Sequence, residues 1–404
     1  MGLSSYPVPR TCCNAPIVIR RAAPRPAPGS RFSVPDPRPP VQIVPTTRTP
    51  TFDQPHSRGH RLPTPGYRPP QPAPPIDADI LRIPVGPGAL HVERYGHGGR
   101  PVLVLHGFGT CAFLWRAVGP SLALSGCTAF AVDLMGHGES DRPFGAGVGI
   151  AAQAVYLDRA LTALRIARAT VAGVDLGAAV ALRLAAAFPE RVERLSLINP
   201  LAFECVPAED VRTLQRNTAR FALRVARGVL GAAPLLTPIL EGSVADSERM
   251  PMRLVARYLA PFVGREGVGH LLDLARSVRA ADVESIELAA VHCPTLLVRG
   301  EADRWVDATV AARLAAALPD ARLLTFPEVG RLVPEERPEE FATLLADFAN
   351  DSLAPDLGRP PARDGDGSAA ASGTTGDSTG IVTSDTVEVP DPAAADVGGI
   401  ARKA

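Results

Sequence analysis

Lysine occurs once in this 404-residue chain, at Lys403, although basic and acidic residues balance at 42 each. Nearly all of the positive charge is arginine, which reads as genome-composition bias. No run of about eighteen apolar residues is present, so no membrane-spanning helix is expected. Cys12, Cys13, Cys111, Cys127, Cys205 and Cys293 form no Cys-x-x-Cys pair and no metal-ligand spacing. Reduced, mostly buried thiols are expected, and no metal site. The opening Met-Gly-Leu-Ser-Ser-Tyr carries Tyr6 where a myristoylation signal wants Ser or Thr. It also lacks the apolar core of a secretory signal, so the cytoplasm is the expected location.

Proline, by contrast, is abundant and unevenly placed. About half of the 42 prolines precede residue 76, interleaved with ten arginines, as in residues 24–28 and 68–75. Such a segment buries too little apolar surface to offset its ordering entropy, so 1–76 is expected to be disordered. Residues 351–404, rich in Gly, Ala, Ser, Thr and Asp, lack sustained apolar periodicity and read as an acidic disordered tail. A basic head and an acidic tail cancel in the net charge. The head is read as a solvated arm, and no nucleic-acid partner is expected.

Between these ends, β-type runs alternate with helical patterns, the mark of a mostly parallel sheet with crossover helices. Strands are expected at 79–83, 89–95, 101–105, 128–132, 169–174, 194–198, 294–299 and 321–326. Helices are expected at about 113–124, 151–165, 176–188, 307–317 and 337–349. From about 200 to 290 helix-like segments follow one another without a strand. That insertion is expected to cap the carboxyl edge of the sheet, where open α/β sheets bind ligands.

Two turns carry chemistry. In Val102-Leu-Val-Leu-His-Gly-Phe-Gly109 a glycine-containing turn follows a buried strand, and its backbone N–H groups, Phe108 foremost, can face a developing oxyanion. In Val171-Ala-Gly-Val-Asp-Leu-Gly a strand meets a helix through a sharp turn. A reactive side chain at such a turn needs small residues two before and two after it, and Gly173 and Gly177 flank Asp175 in this way. Leu176, at the helix start, offers a second N–H donor. Standing alone, Asp175 reads first as a helix N-cap, since aspartate is a good cap.

Together with Val132-Asp-Leu-Met-Gly-His-Gly-Glu-Ser, Pro294-Thr-Leu-Leu-Val-Arg-Gly-Glu-Ala-Asp303 and Gly330-Arg-Leu-Val-Pro-Glu-Glu, these motifs resemble the α/β-hydrolase superfamily over about residues 78–350. The resemblance implies an eight-stranded, mostly parallel sheet with helices on both faces and a helical cap. It further implies Asp175 as nucleophile, Asp303 as acid, and Phe108 and Leu176 as oxyanion donors, with no cofactor. An aspartate at the elbow resembles haloalkane dehalogenases and epoxide hydrolases, in which a carboxylate attacks a saturated carbon and the resulting ester is hydrolysed. A small apolar molecule of C–halogen, epoxide or ester type is the expected ligand.

The sequence departs from that pattern at several points. Leu176 stands where the dehalogenases have tryptophan, Tyr258 is the one tyrosine of the expected cap, and Arg331 occupies the place of the catalytic histidine. A guanidinium stays protonated and accepts no proton, so it cannot act as general base. His106, His137, His270 and His292 are the candidates to replace it. Arg331 is expected to contact Asp303, Asp175 or both, and to depress their pKa values. A hydrolase-like enzyme and an inactive ligand-binding homologue both fit. In a third reading the head is functional and the domain is its scaffold.

Overall fold

The computed structural model describes residues 42–44, 77–143, 145, 147–216, 231–354 and 357–358. Its centre is a nine-stranded sheet in the order β1-β2-β3-β5-β4-β6-β7-β8-β9. The strands are β1 (Gln42–Val44), β2 (Asp79–Pro84), β3 (Ala89–Tyr95), β4 (Arg100–Leu105), β5 (Cys127–Val132), β6 (Ala169–Val174), β7 (Val192–Ile198), β8 (Thr295–Gly300) and β9 (Ala321–Phe326). Those from β5 to β9 run parallel in the sheet with β4, whereas β1, β2 and β3 pair antiparallel. The eight expected strands are all present. The ninth, β1, falls within the head and adds three residues to the edge of the sheet beside β2, while the expectation of disorder for the rest of the head lies outside the described residues.

Helices α1 (Val118–Leu124), α2 (Ile150–Ala163), α3 (Leu176–Ala187), α9 (Ala308–Ala317) and α11 (Pro338–Asn350) cover the sheet, α1 packing on α11 and α2 on α3. Sandwiched between such layers, β5 and β6 are buried along their whole length, which is why they read as continuous apolar runs. The helix expected at 113–124 is interrupted: a short turn at Ala112–Trp115 precedes α1. Pro120 has no N–H to give the carbonyl of Arg116, so a continuous helix would lose that bond. The tail expected from 351 begins on the domain, because the N–H of Leu323 on the edge strand β9 donates to the carbonyl of Gly358 at 2.8 Å.

The chain steps from β4 to β5 on one side and then to β6 on the other. This change of direction opens a crevice at the carboxyl ends of β4 and β6, the place where open α/β sheets hold their ligands. Between β7 and β8 the described residues contain helices α4 (Glu209–Gln215), α5 (Ala233–Glu241), α6 (Met252–Leu259), α7 (Gly264–Ser277) and α8 (Ala281–Glu284), and no strand. They lie over the carboxyl edge. Leu236 of α5 sits against Gly109 after β4, and Leu274 and His270 of α7 against Gly136 after β5, while residues 243–245 meet Gly330 after β9.

Candidate active site

Asp175 joins β6 to α3 with φ 52° and ψ −115°. A non-glycine residue held there costs about 1–3 kcal/mol and persists only where its surroundings over-determine it. The surroundings are two glycines. A Cβ on Gly173 would lie 2.2 Å from the carbonyl oxygen of Gly177, and one on Gly177 would lie 2.5 Å from that of His106. The aspartate makes no side-chain cap bond to α3, so the N-cap reading falls. Its Oδ2 instead accepts the N–H of Phe108 at 2.9 Å.

The carboxylate is buried, and its Oδ1 has no hydrogen-bond partner among the described residues. The two expected oxyanion donors, the N–H groups of Phe108 and Leu176, are both turned toward the carboxylate of Asp175 itself and pull its pKa down. Burial pulls the other way and wins. Aided by repulsion from Asp210, it pushes Asp175 up to about 6 against the attraction of Arg331. Asp303 is also raised by burial. Both directions correct the expectation of depressed values: desolvation of fully buried carboxylates outweighs one guanidinium shared among three of them.

Arg331 lies in the turn after β9, and Asn199 fixes that turn. The Asn199 side chain donates to the carbonyls of Gly330 and Arg331 at 3.1 and 2.9 Å and accepts the N–H of Gly300 at 3.0 Å. Glu336 accepts the N–H of Gly330 at 2.7 Å and, through its other oxygen, that of Ala245 in the insertion at 2.9 Å. The arginine is thus aimed inward, with its side chain 2 % exposed. Its Nη1 is 2.7 Å from Asp210 Oδ2 and 3.5 Å from Asp175 Oδ1, and its Nε is 3.8 Å from Asp303 Oδ1. Asp303, after β8, accepts the N–H of Trp305 at 2.8 Å, and the guanidinium lies 5.5 Å from the centre of the Trp305 ring.

Arg331 therefore meets both expected carboxylates, but the one hydrogen-bond acceptor of its guanidinium among the described residues is Asp210 of α4, which sequence reasoning missed. As an acidic residue in a helix first turn, Asp210 reads as ordinary dipole compensation. Asn199 and Trp305 were missed as well. The only available signal for them was position, directly after β7 and two residues after Asp303. Nε and Nη2 of Arg331, Nε1 of Trp305 and Oδ2 of Asp303 are also buried without a hydrogen-bond partner among the described residues.

None of the four candidate histidines replaces the base. His106 is satisfied at both nitrogens, by the carbonyl of Gly107 at 2.8 Å and the N–H of Leu134 at 3.1 Å. His137 packs on His106, and burial drives it down to about 3. His270 is bonded to the carbonyl of Gly136 at 2.6 Å, and His292 is exposed. Tyr258 is likewise committed, its hydroxyl donating to Glu335 at 2.8 Å. Glu335 also pairs with Arg116 at 2.7 Å.

An elbow, an N–H cradle and an acid after β8, all at the crevice of a parallel sheet, define a hydrolase-type architecture. The sequence profile of the alpha/beta hydrolase fold matches residues 100–338, more than half of the chain, and the protein belongs to that family. It is 28% identical over 275 residues to the uncharacterized hydrolase YugF of Bacillus subtilis (strain 168), covering 67% of this chain and 97% of that protein. It is also 28% identical over 272 residues to a 2-hydroxy-6-oxononadienedioate/2-hydroxy-6-oxononatrienedioate hydrolase of Burkholderia vietnamiensis, covering 64% of this chain and 90% of the relative. Among solved structures, a loop variant of the haloalkane dehalogenase DbeA from Bradyrhizobium elkanii superposes with a TM-score of 0.55 at 26% identity, covering 68% and 97% of the two chains.

Proposed function

We propose that this protein is a hydrolase-like enzyme whose reacting group is the Asp175 carboxylate, acting on a small apolar molecule of C–halogen, epoxide or ester type. The observation that carries this reading is the strained elbow, which holds one carboxylate oxygen on the Phe108 N–H and leaves the other, Oδ1, without a hydrogen-bond partner among the described residues. A backbone that costs free energy and presents one free oxygen suits attack by that oxygen. In displacement at a saturated carbon, Oδ1 forms the new bond and the leaving atom departs with its electron pair. An alkyl ester of Asp175 remains. Arg331, held protonated by its three carboxylates, offers no base to activate water on that ester.

Intact-protein mass spectrometry after incubation with 1-bromobutane, styrene oxide and 4-nitrophenyl butyrate tests the reading. The expected result is a single stable adduct that maps to Asp175 and disappears in Asp175→Asn. Failure of every reagent to label the wild-type protein would remove it. The second reading, a ligand-binding homologue without turnover, would then take its place. The 2.7 Å bond from Asp210 to Arg331 favours this alternative, since it commits the residue at the histidine position to a carboxylate of the insertion.

A further inference from the structure

We propose that Asp175 also works as a general base, taking a proton from the carbon beside the carbonyl of a small apolar ketone while the guanidinium of Arg331 receives the oxygen on which charge collects. The proposal rests on the reading that Asp175 is the reacting group of this site. It needs no histidine. An ester on Asp175 must be hydrolysed before the carboxylate can act again, whereas a base is regenerated when it returns its proton.

The geometry favours this use over assistance to a leaving group. Nη1 of Arg331 lies beside the free oxygen of Asp175, 3.5 Å from Oδ1. In a displacement the departing atom stands in line behind the attacked carbon, about 5 Å from Oδ1 when the carbon is about 3.2 Å away. For that atom also to rest about 3.3 Å from Nη1, the carbon would have to approach Nη1 to about 2.4 Å, far inside the usual contact of about 3.5 Å. This nitrogen is on the wrong side to help a group leave.

Proton abstraction next to a carbonyl makes a different demand. The carbon sits about 3.2 Å from Oδ1, its carbonyl oxygen is about 2.4 Å from that carbon, and the oxygen accepts a hydrogen bond of about 2.9 Å from the guanidinium. With the observed 3.5 Å these distances close into a four-sided figure without a clash. Asp210 takes one N–H of Nη1, and Nη2 and Nε have no hydrogen-bond partner among the described residues. Unsatisfied buried donors beside an unsatisfied carboxylate oxygen form the polar complement of an enolisable carbonyl, which brings an acceptor and an acidic C–H together.

The step balances within the site. The C–H bond breaks, its proton joins Oδ1, its electron pair forms the new carbon–carbon π bond, and the carbonyl π pair moves to oxygen. One negative charge shifts from Asp175 to a substrate oxygen beside Arg331, so the buried cluster keeps its total charge. Returning the proton to the same carbon gives exchange. Returning it further along a conjugated chain moves a double bond, and neither route needs a co-reactant.

The test incubates the full-length protein in D2O with cyclohexanone, 2-indanone, acetophenone and 2-cyclohexenone and follows loss of the α-proton signals by NMR. With at least one ketone the wild-type protein is expected to exceed the buffer rate about 100-fold, in line with a positioned general base, and Asp175→Asn, checked for folding by circular dichroism, is expected to return to it. Exchange at the buffer rate with all four ketones overturns the proposal, as does exchange that survives Asp175→Asn. An adduct on Asp175 without exchange removes the proton-transfer activity and leaves the nucleophilic reading standing. Exchange without any adduct does the reverse.

Discussion

Replacing Asp175 with asparagine should make the protein more stable near neutral pH, although it removes the reacting group. Burial lifts this carboxylate from its ordinary value of 3.8 to about 6. At about 1.36 kcal/mol per pKa unit, its ionised form costs the native state about 3 kcal/mol. Asparagine keeps the shape without the charge. The sign follows from proton linkage: with a raised pKa, the native state binds more protons than the unfolded chain between about pH 4 and 6, so wild-type stability falls as pH rises through that window. The variant has no such group and should escape the fall. Urea denaturation at pH 7.5 should therefore give Asp175→Asn an advantage of about 3 kcal/mol, shrinking to about half near pH 5 and below about 1 kcal/mol at pH 4. A variant that is less stable than wild type at pH 7.5, or whose advantage is the same at both ends of the range, would refute the claim that desolvation outweighs Arg331 here.

Three further outcomes are expected. Arg331→Met leaves Asp175, Asp210 and Asp303 without a compensating charge and should cost about 3–5 kcal/mol at pH 7, whereas Asp210→Asn leaves the guanidinium two carboxylates and should cost only about 1.5–3 kcal/mol; paired urea melts would show the order. Arg331→His should turn a stoichiometric release of bromide from 1-bromobutane into continuing turnover, because imidazole can accept the proton of the attacking water. Glu335→Gln weakens the acceptor shared by Arg116 and Tyr258 and should lower stability by about 1–3 kcal/mol, read as a drop in melting temperature.

Local steric rules made much of this legible in the sequence. Gly173 and Gly177 announced the turn that Asp175 occupies because no Cβ fits at either position, and buried strands such as β6 wrote themselves as unbroken apolar runs. Asp303 and Arg331 were located by the resemblance to the α/β-hydrolase motifs, not by a steric rule. Asp210 escaped both because its role depends on a partner 121 residues away, brought near only when the insertion folds over the sheet. The pKa directions were misjudged for a related reason. Counting charges by sequence position gave two aspartates to one arginine, and it gave no measure of how completely all of them leave water.

The stretch from Gly330 to Glu336 is stitched to the insertion at several places, among them Arg331 to Asp210, Glu335 to Tyr258, and Glu336 to the N–H of Ala245. Each stitch joins residues at least 77 apart in the chain. Lifting the insertion strips the arginine of its nearest carboxylate and takes one partner from each glutamate, leaving Glu335 with Arg116 and Glu336 with the N–H of Gly330, so this corner should open as a single cooperative unit. Amide hydrogen exchange at Ala245 and Gly330, which share one glutamate, should consequently proceed at matched rates. Because Asp210 reaches Arg331 and Asp175 only from the insertion, the ionisation of Asp175 should report whether the insertion is seated.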